Sequence, residues 1–495
     1  MTSPGSAVPA SAPSPAAETV AKPEAYRPPA PDRTLTLLVA GCVALGIISA
    51  LVLTWPPGSD PFAWIDWGQE ITNSKIALSL SGGPSWKPFP VVFTALFGLF
   101  GNAAPHLWLM VSRSAGLLAL LGGYRLARRF GAVPAGVLAV VALLLVQDAL
   151  FYFARGASET LVAAFTLWAV DRHLNGSWRL AYVLGFLAAM NRPEFGVFLL
   201  AYAWFLWPRV PEFRAALVAG IVLIPIAWFG APGVISGNPF QAGNAALGGK
   251  GSPGSALAEL RSGFSLMPVP LAVLSLIGIG LAYLRHNFAV VWLGIGAIAW
   301  ALMEAIITQV AYGLPRYLLP AAAIGCVLAA LAVVWGAEEV GRRSAPWAVP
   351  VTGLVLLALT LPWTVSRAGL LGQQASDAGQ AGLYIDRLFI AVDRVGGTAR
   401  VLPCRGSRVA INHTLASALA WKLQVPEYKV GGNLRGTGFV FVAPHVRPAG
   451  AAPAIAHRSL RTVRTILRLH PWRVLEVTRL GASATPNCHL AGPRA

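Results

Sequence analysis

Long apolar runs separated by short polar connections organise most of this chain. Eleven runs are long enough, or nearly long enough, to cross a hydrocarbon core of about 30 Å: 35 to 55, 106 to 124, 132 to 152, 159 to 171, 179 to 191, 194 to 207, 213 to 230, 266 to 284, 288 to 308, 316 to 335 and 347 to 365. The runs at 159 to 171 and 179 to 191 are short for a full crossing and are expected to extend into their charged flanks. Segment 89 to 101 is apolar but only 13 residues long, and counting it as a span would invert the charge bias downstream. It reads as an interfacial or re-entrant helix.

The pattern changes at both ends. The first 33 residues, rich in Pro, Ala and Ser, bury too little apolar area to offset chain entropy, and the run after them is too long for the apolar region of a signal peptide. Beyond residue 365 the runs give way to helix-like stretches (381 to 395, 411 to 423, 457 to 469) and strand-like ones (438 to 443, 472 to 479). The expected organisation is a disordered cytoplasmic tail over 1–33, a transmembrane domain over 34–365 with its first outer loop at 56–105, and a small α/β domain over 366–495.

Composition agrees: 56% of the 495 residues are hydrophobic, 12% are charged and mean hydropathy is +0.62, more than a soluble core requires. The lipid bilayer is therefore the first partner, and no nucleic-acid partner is expected. Arg far exceeds Lys, and Ala and Gly are abundant, a bias that suggests a GC-rich bacterial host and hence its cytoplasmic (inner) membrane.

Basic residues cluster in alternate connections: Arg27 and Arg33; Arg125, Arg128 and Arg129; Arg172 and Arg179; Arg209 and Arg214; Arg285; Arg342 and Arg343. By the positive-inside rule these face the cytoplasm, with the N-terminus. An odd number of spans then puts the C-terminal domain outside. That domain carries 17 Lys and Arg against 5 Asp and Glu, a net +12 of the chain's +18, which suits anionic headgroups or an acidic glycan. Of the four cysteines, Cys42 and Cys326 lie in apolar runs, whereas Cys404 and Cys488 share the outer domain and could form a disulfide there.

The connections facing outward hold the candidate chemistry. Asp60, Asp66 and Glu70 follow the first run, and Asp66 and Glu70 share a face if residues 62 to 80 are helical. Trp64, Trp67 and Trp86 suit an interfacial belt. An acid at the point where a span leaves the membrane can take a proton from a hydroxyl, so Asp60 is the first candidate base and Asp66 the second. Lys87, the Arg155/Glu159 pair, the Arg192/Glu194 pair, and Arg316 with Tyr317 come to the same face. A guanidinium there can pair with a phosphate and a phenol can donate to one. His106, alone beside Trp108, reads as structural, and no cluster with metal-ligand spacing accompanies it. The acids could serve a divalent cation or a proton. There is no Walker loop, no GxSxG elbow and no Rossmann fingerprint, so the energy for any chemistry must arrive in the substrate.

Taken in order along the chain, Asp60, the amphipathic first outer loop, Arg155 to Glu159, Arg192-Pro-Glu194 and Pro315-Arg-Tyr-Leu-Leu-Pro320 resemble the polytopic GT-C glycosyltransferases. That class includes protein mannosyltransferases, the aminoarabinose transferase of lipid A and actinobacterial arabinofuranosyltransferases, and the resemblance covers roughly residues 34 to 365. It implies a polyprenyl-phosphate sugar donor, a cell-envelope acceptor (glycan, lipid or protein) and inverting transfer with Asp60 or Asp66 as base. It also implies that Lys87, Arg155, Arg192 and Arg316 hold the donor phosphate while Glu159 and Glu194 orient them or bind sugar hydroxyls. The paired Asp-Glu of some members is absent, which keeps Asp66 in contention. A transporter or flippase of lipid-linked saccharides is the alternative, because intramembrane Arg/Glu pairs also mark translocation paths. A membrane anchor for a soluble sensor would not need so many spans.

Overall fold

A computed structural model describes residues 32–248, 255–309, 314–345, 347–404, 407–443, 452–456 and 461–479. Among them, six helices are long and apolar enough to cross a membrane: Arg33–Val52, Gly101–Leu145, Pro211–Ser236, Phe288–Ile307, Pro315–Arg343 and Val349–Val395. Four shorter apolar helices accompany them: Pro88–Gly98, Trp178–Ala189, Phe195–Leu206 and Val269–Leu284. The expected runs at 106 to 124 and 132 to 152 are two arms of Ala104–Leu145, which breaks at Gly131 and Ala132. The arms fold back on each other, since a Cβ on Gly123 would lie 2.6 Å from Leu143 Cδ1 and one on Gly136 2.7 Å from the Tyr124 ring.

Pro315–Arg343 is the central helix. Its apolar stretch is 89% buried, against 11% for Arg33–Val52, which shows its sides to lipid. A helix that is apolar all round suits either place.

The basic connections lie together at one end of the bundle. Arg125 pairs with Asp171 at 3.2 Å, Arg285 with Glu338 at 2.8 Å, and Arg179 with Glu212. Glu159 and Asp171, at opposite ends of Ser158–Leu174, are separated by roughly 18 Å of helix. The candidate residues of the other connections therefore gather at the far end.

The loop after the first span builds a helical hairpin on that far end. Ser59–Thr72 and Pro88–Gly98 cross so closely that a Cβ on Gly68 would sit 2.1 Å from the Thr94 carbonyl oxygen. The Thr94 hydroxyl donates to the Trp64 carbonyl at 2.6 Å. The tryptophans expected in an interfacial belt are instead core: Trp64, Trp67 and Trp86 are buried, with Trp64 against Trp108 and Trp67 against Trp86.

The C-terminal region is a small α/β unit. Its five-stranded sheet runs Val430–Gly431, Arg408–Ala410, Gly438–Val442, Trp472–Arg479 and Arg461–Leu469, parallel across the first three and antiparallel across the last three. One helix, Ala348–Val395, runs unbroken through position 366, so the compositional change there falls within a helix. Its far end packs on the sheet, with Trp472 Nε1 donating to the Tyr384 carbonyl at 2.8 Å. The helix-like stretch at 457 to 469 is corrected: residues 461–469 are a strand, and 457–460 lie outside the described residues. Thr462, Val463, Thr465 and Ile466 favour a strand, and the turn at His470 and Pro471 pairs it with Trp472–Arg479. Cys404 is disulfide-bonded while Cys42 and Cys326 are free thiols; Cys488, its expected partner, lies outside the described residues.

Candidate functional site

Four connections converge on a knot of charges at the end of the bundle away from the basic connections. Its centre is Glu159, in the first turn of Ser158–Leu174, where the helix dipole favours an acid. Three cations surround it: Lys87 Nζ at 3.4 Å, Arg316 Nε at 3.5 Å and an Arg192 guanidinium nitrogen at 3.9 Å. Lys87 also donates to the Ser158 hydroxyl at 2.5 Å and lies 5.4 Å from the Trp64 ring centroid. Burial pushes the Lys87 ammonium below its usual range against the opposing pull of Glu159.

Asp60 closes the knot on its open side. In the first turn of Ser59–Thr72, its Oδ2 accepts from Arg316 at 2.6 Å. Its side chain is 29% exposed, those of Arg316 and Glu194 23% and 20%, whereas Lys87 and Arg192 are at 10% and 7%, so Arg316 is the cation most open to a substrate. The Arg192 guanidinium lies over the Tyr317 ring at 3.8 Å and pairs with Glu194 at 3.5 Å.

Sequence reasoning missed Glu304. It is buried in Phe288–Ile307 and accepts from Arg192 at 2.9 and 3.0 Å. An acid inside an otherwise apolar run was the available signal, because an ionisable group at such depth needs a partner.

Two predicted residues stand apart. Arg155 turns away from the knot, donating to the Pro56 and Pro57 carbonyls at 3.2 Å each, while its own carbonyl accepts from the Gly58 amide at 2.8 Å. It fastens the loop that presents Asp60. Gly156 makes this possible: its φ is +85°, and a Cβ would meet Trp108 Nε1 at 2.7 Å. Asp66 points to a separate place, fully buried, and neither carboxylate oxygen has a hydrogen-bond partner among the described residues.

Knot and groove adjoin. An apolar cavity of about 550 Å³ opens between the helices beside the knot, lined among others by Phe195, Phe198, Tyr202, Trp292, Trp300 and Pro320. Trp300 marks its near end, donating to the Tyr317 carbonyl at 2.9 Å; His173, bonded to the Tyr202 hydroxyl at 3.0 Å, marks its far end.

This arrangement of helices, loop hairpin and appended sheet is the GT-C glycosyltransferase fold. ArnT from Cupriavidus metallidurans bound to undecaprenyl phosphate has it, with a TM-score of 0.53 and 16% identity over 93% of this chain and 99% of that one. The same protein in the apo state also gives a TM-score of 0.53, at 15% identity over 93% and 100%. The Archaeoglobus fulgidus oligosaccharyltransferase tethered with an acceptor peptide gives 0.47 at 14% identity, over 79% of this chain and 63% of its own. No family model matches the sequence, and no curated protein matches it.

Proposed function

We propose that this protein is an inverting membrane glycosyltransferase that moves a sugar from a polyprenyl-phosphate donor to a cell-envelope acceptor at the outer face of the cytoplasmic membrane. The observation that carries the reading is the partly exposed Asp60–Arg316 pair, set in a knot of matched cations and acids beside an apolar groove. The groove suits a prenyl chain, and Lys87, Arg192 and Arg316 suit its phosphate. ArnT, which shares the fold, is seen bound to undecaprenyl phosphate.

The charges imply an order of events. Lys87, Arg192 and Arg316 face Asp60, Glu159, Glu194 and Glu304, so every cation is already matched. An arriving phosphate must compete for one of them, and Arg316 is the cation a substrate reaches. Its guanidinium passes from Asp60 to the phosphate, which frees the Asp60 carboxylate. Asp60 then takes the proton of an acceptor hydroxyl, the hydroxyl oxygen attacks the anomeric carbon, and the bond from that carbon to the phosphate oxygen breaks. The pair of electrons goes to the polyprenyl phosphate, which the cations stabilise as it leaves. Glu159 and Glu304 hold the cations in place. Arg155 acts through the loop rather than on the phosphate.

Reconstituted protein supplied with a polyprenyl-phosphate sugar tests this. Asp60→Asn should lower transfer by about a hundred- to ten-thousand-fold. Full transfer by that variant would remove Asp60 from the role. A flippase would instead need charges near the midplane, and these sit at one end of the bundle.

A further inference from the structure

A second charged cluster lies where the C-terminal unit meets the first outer loop, and among the described residues no salt bridge to a cation is seen at its acids. Asp66 and Glu70 lie one turn apart on Ser59–Thr72, and Glu427 of the C-terminal unit reaches the same loop, its Oε2 2.9 Å from where a Cβ on Gly83 would sit and close enough to add its charge to theirs. All three are buried, and Asp66 Oδ1 and Oδ2, Glu70 Oε1 and Glu427 Oε2 lack hydrogen-bond partners among the described residues. The remaining oxygens are each held within their own part: Glu70 Oε2 accepts from the Ser79 amide at 2.8 Å, and Glu427 Oε1 accepts from the Ser417 hydroxyl at 2.6 Å. Ala416–Leu423 packs on the same loop helix, with Trp421 and Phe62 ring centroids 6.1 Å apart.

Of the nearby charges, one is of the same sign and two cations are paired with other acids. Asp60 adds its negative charge to the field at Glu427. Lys87 serves Glu159, Lys422 pairs with Asp393 at 2.9 Å, and Lys429 Nζ lies 5.3 Å from the Tyr428 ring centroid. Among the described residues, no group of three or more His, Cys, Asp and Glu has an arrangement that would hold a metal ion. Burial, reinforced by the neighbouring acids, pushes Asp66 well up, Glu70 to about 8 and Glu427 to about 7.

We propose that Asp66, Glu70 and Glu427 form a proton-held latch that fastens the C-terminal unit onto the first outer loop and releases it when the cluster ionises. Protonated, the three carboxyls are neutral and can stay buried at the junction. Ionised, they are like charges buried at one junction, and the two surfaces part. Because Ser59–Thr72 also carries Asp60, release would loosen the base as well as the unit beside it.

Amide hydrogen exchange on the full-length protein in lipid nanodiscs reads the latch directly, without reference to transfer activity. After correction for intrinsic exchange, protection of 59–72 and 416–429 should fall about tenfold or more between pH 6 and pH 9, while the central helix 319–343 stays protected. Glu427→Gln, and separately Asp66→Asn with Glu70→Gln, should retain protection at pH 9. Protection in the unaltered protein that does not change with pH overturns the proposal, as does equal loss at pH 9 in both variants. Protection at pH 9 restored by millimolar Ca²⁺ or Mg²⁺ also overturns it, in favour of a cation held by the same acids.

Discussion

Two buried acidic sites near the same end of the bundle differ in what surrounds them. Glu159 lies among Lys87, Arg192 and Arg316, and its helix N-terminus adds to the compensation. Asp66 is as deeply buried, yet its charged neighbours are Glu70 and Glu427. The first arrangement keeps charges in place for an anionic ligand to exchange with. The second has nothing to offer an anion and holds protons instead. Burial alone therefore does not mark a catalytic acid; the sign of the neighbours does.

The largest expected effect comes from breaking the compensated site. Arg192→Ala removes the counter-charge that Glu304 meets at 2.9 Å inside its helix, and removing one member of a buried pair costs about 3 to 5 kcal/mol. Thermal unfolding in detergent should show it, and an unchanged midpoint would mean that Glu304 has another counter-charge.

The uncompensated site predicts a different pH dependence. Its carboxyls titrate above the ordinary carboxylate range, so the folded protein binds more protons than the unfolded chain. The stability they contribute is complete in acid below that range and is lost as pH rises through about 7 for Glu427 and about 8 for Glu70. Asp66→Asn should accordingly raise the unfolding midpoint at pH 9 relative to the unaltered protein and change it little at pH 5. A midpoint lowered equally at both values would show that Asp66 is needed ionised.

The smallest effect should come from Arg155→Lys, which keeps the charge and loses the fork that holds the Pro56 and Pro57 carbonyls. A loss of about 1 kcal/mol in stability with donor affinity unchanged is expected. A large loss of affinity would return Arg155 to the phosphate.

Legibility follows the same physics. Asp60, Lys87, Glu159, Arg192, Glu194, Arg316 and Tyr317 were readable because each sits at an end of an apolar run, where a charged or hydrogen-bonding side chain is conspicuous. Glu304 lay inside a run, and Glu427 belongs to a region whose docking surface no local pattern encodes. The order of burial was also hidden: Arg33–Val52 and Pro315–Arg343 are both strongly apolar, and lipid is as apolar as the bundle's own core, so composition does not say which is central. The strand at 461–469 was misread because its pairing with 472–479 is decided by the turn and the partner strand rather than by its own pattern. Arg155 carried the right charge at the right end of the bundle, but the direction of its side chain is set by carbonyls almost a hundred residues earlier in the chain.

Affinity for a polyprenyl phosphate, measured on the reconstituted protein, tests the central contrast most directly. Lys87→Met and Arg316→Met should each weaken binding about ten- to a hundredfold, as expected for loss of one charge-assisted hydrogen bond, while Asp66→Asn leaves it unchanged. Equal affinities across all four proteins, or a loss confined to Asp66→Asn, would contradict the account.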